Sequence, residues 1–446
     1  MRQRASMFET VTAAGRTASE KMRPYVCAGY LAAVWLGSDV SLPVGFFDGV
    51  PPYVVLTPIL LLFFLPMRAT IGACILLCVL TLYEVIKGIQ PGFVYSLKGF
   101  VGLVALSCIL PANYYAVRTL SRCSNKWIGT WLFLILLAIL GAMLLEHVLV
   151  LAGFAYTPYK NYVLGIQNCA GVFSEPSHLG IGLSPFVMMI ALDFKAFVKH
   201  VGIWAVVMLV CISILSPSAT LIAVIGVAIM MVILYRAWQG RLVSFAFLLG
   251  LVVALGFAAL AIPEVAVRIN GVLSPSISAS PVQVYYSSLA FEKGREMAVY
   301  ALQHFPLGVP FLGMSVLAPK VEASYVNALM YVLNSQDGSS LLFKGICEFG
   351  ILFIVFVVLG FVRFLNTTVS RSRVSVYALV VIGFEFCFFA HFIRGATYFS
   401  GAVAIGMAVL LFEVLNAVQH RRSRAFTRKM PVPRTVPAAL RSPDIG

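Results

Sequence analysis

Charged residues are scarce in this chain, and acidic residues are scarcer than basic ones. Only 11% of the 446 residues are charged, with 17 acidic against 32 basic side chains, whereas soluble domains carry about 25% charged residues. Hydrophobic residues make up 61% of the chain. This balance excludes an ordinary soluble globular protein and predicts an all-α, polytopic integral membrane protein.

Paired cysteine motifs and nucleic-acid-binding motifs are also missing. The nine cysteines form no CxxC pair and no Cys/His spacing, so the sequence predicts neither a disulfide framework nor a metal site. The net charge is +15, but the tails 1–23 and 417–446 supply +9 of it. Basic tails around a hydrophobic body are typical of cytosolic ends and of contact with anionic membrane lipids, not of nucleic-acid binding.

Apolar runs recur along residues 24–418, which we interpret as the transmembrane domain. About 20 residues are needed to cross the hydrocarbon core. If residue 1 lies in the cytosol, every second connection between the runs is cytosolic, and the basic residues are concentrated in those connections. This distribution predicts cytosolic segments at 1–23 and 419–446. We expect about twelve spans, at 24–40, 49–66, 69–86, 94–117, 127–154, 176–192, 198–215, 219–235, 242–262, 339–364, 374–392 and 397–418.

Two outward connections are long, 155–175 and 263–338. The second is large enough to be a helical periplasmic subdomain inserted before the last three spans. Its pattern predicts helices at 284–304 and 321–333. In the first of these helices, Lys293 and Arg295 are expected away from an apolar side formed by Leu289, Met297, Ala298, Ala301 and Leu302.

Ionisable residues within the predicted spans lie mostly toward the outer ends. Lys344 and Glu348 are spaced i,i+4, so they share a helix face and could pair. A transporter needs polar groups along the whole crossing, whereas a chemical site at the outer boundary needs them only there. The distribution favours the second, although each residue alone could be interfacial or snorkelling. The set is Glu84, Lys98, Glu146, His147, Lys344, Glu348 and Glu385.

One segment, 171–180, places an acid, two hydroxyls and an imidazole at the start of a predicted span. It reads Gly-Val-Phe-Ser-Glu-Pro-Ser-His-Leu-Gly. Pro176 suits a first helical turn, with Ser174 or Glu175 as the cap. Glu175 and His178, three residues apart, could face one cavity as a base and its orienting partner. The alternative is a helix-capping signal followed by a structural histidine.

Together with other short patches, this segment resembles the Wzy-type polysaccharide polymerases and, more distantly, the O-antigen ligases. The other matching features are the large loop before the last three spans, its exit Asp-Gly-Ser-Ser at 337–340, Glu-Phe-Gly at 348–350, and Phe-Ile-Arg-Gly-Ala-Thr-Tyr-Phe at 392–399. Where ligase-like members tend to have His-Asn, this chain has Ser339-Ser340.

The resemblance implies a glycosyltransferase of the bacterial inner membrane, with both termini cytosolic. It would transfer a growing glycan from undecaprenyl diphosphate onto an incoming lipid-linked oligosaccharide at the periplasmic face, without a cofactor. The implied partners are that lipid-linked oligosaccharide, membrane lipids, a chain-length regulator and a flippase. The alternatives are an O-antigen ligase-type enzyme and a non-enzymatic polysaccharide exporter or flippase.

The chemistry assigns roles to ten residues and requires no metal. An acceptor hydroxyl needs a proton acceptor, for which we predict Glu175 and His178 as catalytic residues. A diphosphate needs cations, preferably arginine. The open alternatives are solvated loop charges for Arg268 and Lys293, and helix caps for His304 and Asp337. The predicted substrate-binding residues are Arg295, Arg394, Arg268, Lys293, Ser177, Asp337, His304 and His391.

Overall fold

The structure, a computed structural model, is helical in nearly all of the part it describes. A hairpin of two short strands, β1 (Tyr162–Val163) and β2 (Ile166–Gln167), pairs antiparallel with Tyr162 opposite Gln167. The predicted all-α class is confirmed for these residues. The described residues are 20, 22–37, 51–90, 97–153, 162–163, 166–167, 169–173, 175–216, 218–238, 250, 282–317, 340–370, 375–395 and 397–429.

Helices follow one another closely along the described residues. They are α1 (22–36), α2 (Pro52–Phe63), α3 (Met67–Lys87), α4 (Leu97–Leu120), α5 (Asn125–Leu151), α6 (Pro176–Gly182), α7 (Ser184–Leu192), α8 (Phe194–His200), α9 (Ile203–Leu215), α10 (Ala219–Trp238), α11 (Val282–His304), α12 (Leu341–Ser370), α13 (Val376–Ala390) and α14 (Gly401–Lys429).

Several of these helices have the length and composition of membrane spans. Among the described residues, four qualify: α3, α4, α5 and residues Leu341–Asn366 of α12. The bent pair α8 and α9 gives a fifth candidate, and α2, α10, α13 and α14 contain shorter apolar helices. These helices support a membrane-embedded protein, while the count of twelve spans stays a prediction. The predicted span 242–262 lies outside the described residues.

The outside of the bundle is apolar, as expected for a protein in lipid. On α3, Ile71, Ile75 and Val79 follow one another at four-residue spacing and are 47%, 59% and 55% exposed. Such a stripe covers one face of the helix. Contiguous apolar surface of this kind is rare on soluble monomers, whereas hydrocarbon solvates it.

Helix α13 forms the centre of the described bundle. All of its residues except Tyr377 are buried, and it packs against α7, α12 and α14. Its phenylalanines face several neighbours, with the rings of Phe384 and Trp35 4.9 Å apart and those of Phe388 and Phe356 5.6 Å apart. This central helix carries the turn 391–395 at its C-terminal end.

The predicted span 176–192 is two helices rather than one. Helix α6 ends at Gly182 and α7 begins at Ser184, because Pro185 has no N–H with which to continue the α6 ladder. The carbonyl oxygen of Gly182 accepts a hydrogen bond from the Trp35 indole at 2.8 Å. The carbonyl oxygen of Ile181 accepts one from the Cys387 thiol at 3.7 Å. Side chains of α1 and α13 therefore satisfy the interrupted backbone.

The predicted span 198–215 is bent and is not one continuous helix. Residues 198–200 belong to α8, and α9 begins at Ile203 after a bend of 109°. The bend lies at Gly202, whose φ of 107° is accessible mainly to glycine. With 13 residues, α9 is about 20 Å long.

The first helix predicted in the large loop is confirmed as α11, while the second, 321–333, lies outside the described residues. Met297, Ala298 and Ala301 of α11 are buried, as predicted. The placement of Lys293 away from this side is wrong, because Lys293 lies one turn before Met297 and is only 2% exposed.

Candidate functional site

The segment predicted to carry chemistry meets the turn that carries Arg394. Glu175 is the N-cap residue of α6, with an extended backbone and Pro176 in the first turn, but its side chain makes no capping hydrogen bond. Its carboxylate instead accepts a hydrogen bond from the Ser177 hydroxyl at 2.8 Å. The capping alternative therefore does not describe the Glu175 side chain. Ser174 lies outside the described residues.

An ion pair joins Glu175 to Arg394, although 219 residues separate them. The Arg394 Nη2 atom lies 3.4 Å from the Glu175 Oε2 atom, and the two side chains are 34% and 28% exposed. The structure therefore brings together one predicted catalytic residue and one predicted diphosphate ligand. Both remain partly accessible to a ligand.

The environment of Glu175 favours its charged form. Burial of the carboxyl raises its pKa, and the hydrogen bond from Ser177 lowers it. The nearby charges of Arg394 and His178 lower it further, so that the pKa of Glu175 lies below its ordinary value. His178 is thus close enough to act on Glu175, as the three-residue spacing predicts.

Glu146 on α5 holds the segment that precedes Glu175. Its Oε2 atom accepts backbone hydrogen bonds from Ala170 at 3.0 Å and from Gly171 at 2.7 Å. Phe173, in the same segment, is buried. Sequence reasoning placed Glu146 among the outer ionisable residues without this positioning role. The sequence feature that could have indicated this role is an acidic residue near the end of an otherwise apolar helix.

Hydrogen bonds from the start of α12 stabilise the turn that carries Arg394. The Ser340 hydroxyl donates to the carbonyl oxygen of Phe392 at 2.9 Å, and the Leu341 N–H donates to that of His391 at 3.3 Å. Ser340 also forms a parallel bridge with Gly395. His391 lies beneath the turn, 5% exposed, with its Nε2 atom 3.2 Å from the Ser400 hydroxyl. A direct substrate contact by His391 is therefore not supported.

Five residues near this end form what we term the buried charge cluster: Glu84, Lys87, Lys344, Glu348 and Tyr398. Lys87 is 0% exposed and forms an ion pair with Glu84. The Lys87 Nζ atom also donates to the backbone carbonyls of Val309 at 2.8 Å and Glu348 at 2.9 Å. Three acceptors use the three N–H donors of the ammonium group. The sequence analysis did not identify Lys87, although its i,i+3 spacing from Glu84 could have indicated an ion pair.

The predicted pairing of Lys344 and Glu348 is consistent with their placement in this cluster. They are 6% and 0% exposed, and the charge of Lys344 acts on Glu348. The Tyr398 hydroxyl lies beside the Glu348 carboxylate. The Lys344 Nζ atom is 5.7 Å from the centroid of the Tyr398 ring. Tyr398 follows Arg394 by four residues and so connects the cluster to the turn.

Helix α12 is broken at Gly350, and the segment 305–313 fills the break. Gly350 has φ 56° and ψ −139°, outside the helical region. The Val309 N–H donates to the carbonyl oxygen of Cys347 at 2.8 Å, and the Ile351 N–H donates to that of Pro306 at 3.0 Å. The Tyr83 hydroxyl donates to that of Phe349 at 3.0 Å. The break is thus held by hydrogen bonds to other parts of the chain.

Other predicted ligands have contacts away from the Glu175–Arg394 pair. Arg295 is 60% exposed and lies 3.7 Å from Glu292 on its own helix. The His304 Nδ1 atom is 3.0 Å from the carbonyl oxygen of Tyr300, as the helix-cap alternative predicts. Buried Lys293 does not fit the alternative of a solvated charge. Arg268 and Asp337 lie outside the described residues.

Other reactive or metal-binding groupings are not evident near this end. Within the described ranges, no group of three His, Cys, Asp or Glu side chains could hold a metal ion. The Cys169 thiol lies 3.8 Å from the His147 Nδ1 atom, but burial raises its pKa to about 11. This thiol is therefore protonated near neutral pH and a poor nucleophile.

Comparison with known proteins identifies no relative: no protein-family model matches the chain, and no curated protein or solved structure matches it significantly.

Proposed function

We propose that this chain is a polysaccharide polymerase of a bacterial inner membrane. It transfers a growing glycan from undecaprenyl diphosphate onto an incoming lipid-linked repeat unit at the periplasmic face. The observation that carries the proposal is the contact between the Glu175 carboxylate and the Arg394 guanidinium at one end of a bundle of apolar helices. The motif resemblance supplies the substrate class.

Arg394 is the proposed ligand of the donor diphosphate. A guanidinium offers five N–H donors in a planar fork, and the Arg394 side chain is 34% exposed. The turn is fixed by Ser340 and Leu341, so the guanidinium is presented from a positioned backbone. Charge that develops on the leaving diphosphate is stabilised by such a pre-positioned cation.

Glu175 or His178 is the proposed proton acceptor. The acceptor hydroxyl oxygen forms a bond to the anomeric carbon, the bond from that carbon to the diphosphate oxygen breaks, and the hydroxyl proton passes to the base. The leaving undecaprenyl diphosphate keeps the bonding electron pair. When Glu175 is the base, His178 lies near enough to orient or stabilise it.

The ion pair couples donor binding to the strength of this base. While Arg394 holds Glu175, the carboxylate is stabilised and accepts a proton poorly. A diphosphate that draws Arg394 toward itself weakens that stabilisation and adds nearby negative charge, and both changes raise the pKa of Glu175. The carboxylate thus becomes a stronger base when the donor is in place.

Two single substitutions test the proposal in cells that make the polysaccharide. Glu175→Gln and Arg394→Gln should abolish long chains and leave lipid-linked single repeats, because each removes a group that acts on the reacting atoms. Arg68→Gln is the matched control, since Arg68 is exposed at the start of α3, at the other end of that helix from Glu84. Accumulation of long lipid-linked polymer would instead indicate a ligase. Normal chain length in both variants would contradict either enzyme assignment.

A further inference from the structure

A polar cavity lies at the opposite end of the bundle from Arg394. It has a volume of about 680 Å³ and lies between α4, α12, α13 and α14. Tyr377 lines the cavity at the start of α13, and the turn 391–395 follows the other end of this helix, about 20 Å away. The cavity is therefore separate from the candidate site. Its lining residues include Tyr114, Arg118, Arg363, Glu413 and Asn416.

The cavity contains more positive than negative charge. Arg118 and Arg363 line it with Glu413 as the single acid among the lining residues of the described chain. The Arg363 Nη2 atom pairs with the Glu413 Oε2 atom at 2.6 Å. The Arg363 side chain is 29% exposed. Its guanidinium therefore remains accessible to an anionic ligand beside this ion pair.

Arg118 lies at the cavity one turn after Tyr114 on α4. The Tyr114 hydroxyl lies near the Arg118 side chain and accepts a hydrogen bond from the Asn416 Nδ2 atom at 2.8 Å. This arrangement ties α4 to α14 and presents a second guanidinium to the cavity. Two arginines on different helices can contact one phosphate group from two sides.

An apolar stripe on α12 leads to this cavity. Val355 and Leu359 precede Arg363 at four-residue spacing, so the three share one helix face, and the two apolar side chains are 47% and 46% exposed. A ligand that combines an anionic head with a hydrocarbon chain matches both features.

We propose that this cavity binds an anionic phospholipid of the adjacent leaflet, with its phosphate between Arg118 and Arg363 and an acyl chain along Val355 and Leu359. The net positive charge of the lining favours an anionic lipid over a zwitterionic one. The basic connections of the sequence predict that this end lies in the cytosolic leaflet. The site is independent of the proposed polymerase reaction, because none of its residues contributes to the Glu175–Arg394 pair.

Native mass spectrometry of the purified full chain in detergent tests the proposal, with phosphatidylglycerol and phosphatidylcholine as probes. The wild type should retain phosphatidylglycerol preferentially. Arg118→Gln should weaken its retention about fivefold, the effect of one basic residue at a lipid surface. Arg122→Gln is the matched control, since Arg122 follows Arg118 by four residues, just beyond the end of α4, and is not among the residues that line the cavity. Its retention should equal that of the wild type.

A second variant keeps the test decisive where Arg118→Gln does not fold. Glu413→Gln removes the negative charge from the lining and should strengthen phosphatidylglycerol retention, whereas a purely structural ion pair predicts no gain. Equal retention of the two lipids, or equal losses in Arg118→Gln and Arg122→Gln, would overturn the proposal. Equal binding of glycerol 3-phosphate, which has no acyl chain, would overturn the lipid assignment in favour of a soluble phosphate.

Discussion

Replacing Lys87 with methionine tests whether the buried charge cluster holds the segment 305–313 in the break of α12. The substitution keeps the length and apolar character of the side chain but removes its ammonium group. Glu84 then loses its cationic partner, and the carbonyls of Val309 and Glu348 lose their bonds to Nζ. The substitution thus changes the size of the side chain little but removes the positive charge that Glu84 and the two carbonyls contact.

The expected destabilisation follows from these contacts. Removing one partner of a buried ion pair costs about 3–5 kcal/mol, and each carbonyl that loses a hydrogen bond adds about 1 kcal/mol. We therefore expect Lys87→Met to lower the free energy of unfolding by at least about 3 kcal/mol. Glu84→Gln combined with Lys87→Met should recover part of this loss, because a neutral amide is less costly to bury than a carboxylate.

Titration of the purified chain with sodium dodecyl sulfate, followed by circular dichroism, measures this destabilisation. Limited proteolysis should also show faster cleavage within 305–313 in the variant. Lys195→Met is the matched control, because Lys195 is exposed on α8 and should change stability by less than about 0.5 kcal/mol. Equal unfolding midpoints for Lys87→Met and Lys195→Met would refute the reasoning.

Two further predictions concern Glu175 and the segment before it. At pH values above the ordinary carboxyl pKa of 4.5, the Glu175–Arg394 contact stabilises the fold by about 0.5–1 kcal/mol, because both side chains are partly exposed. This stabilisation is lost as the pH falls through the lowered pKa of Glu175. Thermal unfolding midpoints of the wild type and Arg394→Gln should therefore differ at pH 7. The difference should shrink as the pH falls below 4.5 and through the lowered pKa of Glu175; a constant difference would contradict the charge assignment. Glu146→Ala should leave the Ala170 and Gly171 N–H groups without their carboxylate acceptor, which should lower the free energy of unfolding by about 1–3 kcal/mol. Hydrogen exchange at these two amides should become faster relative to exchange at the amides of Ala378 and Leu379 in α13. Unchanged exchange would show that Glu146 does not position the segment.

Positions of helices were more predictable from the sequence than their interruptions. Long apolar runs and scarce charge indicated α3, α4 and α5 because hydrocarbon imposes both length and composition. The break at Gly350 was not predictable, because its hydrogen bonds come from residues 305–313 and from Tyr83. Similarly, the hydropathy of residues 198–215 does not reveal that Gly202 turns the chain by 109°.

The candidate site was predictable in its residue types but not in its pairing. Glu175 and Arg394 were each indicated by polar groups at the ends of apolar runs, but their contact depends on α13 packing against α6 and α7. Lys293 was misplaced because an ionisable residue on an amphipathic helix is usually exposed. Lys87 was missed because lysine at the end of a span usually reaches the interface.

Reconstitution of the purified chain with a lipid-linked repeat unit tests the polymerase assignment most directly. The chain alone in lipid nanodiscs, supplied with an undecaprenyl-diphosphate-linked oligosaccharide, should form products of increasing repeat number and release undecaprenyl diphosphate. Glu175→Gln should form neither, while Arg68→Gln, which changes an exposed residue at the start of α3, should behave as the wild type. Absence of elongation by a wild-type chain that retains its unfolding midpoint, or full elongation by Glu175→Gln, would contradict the account.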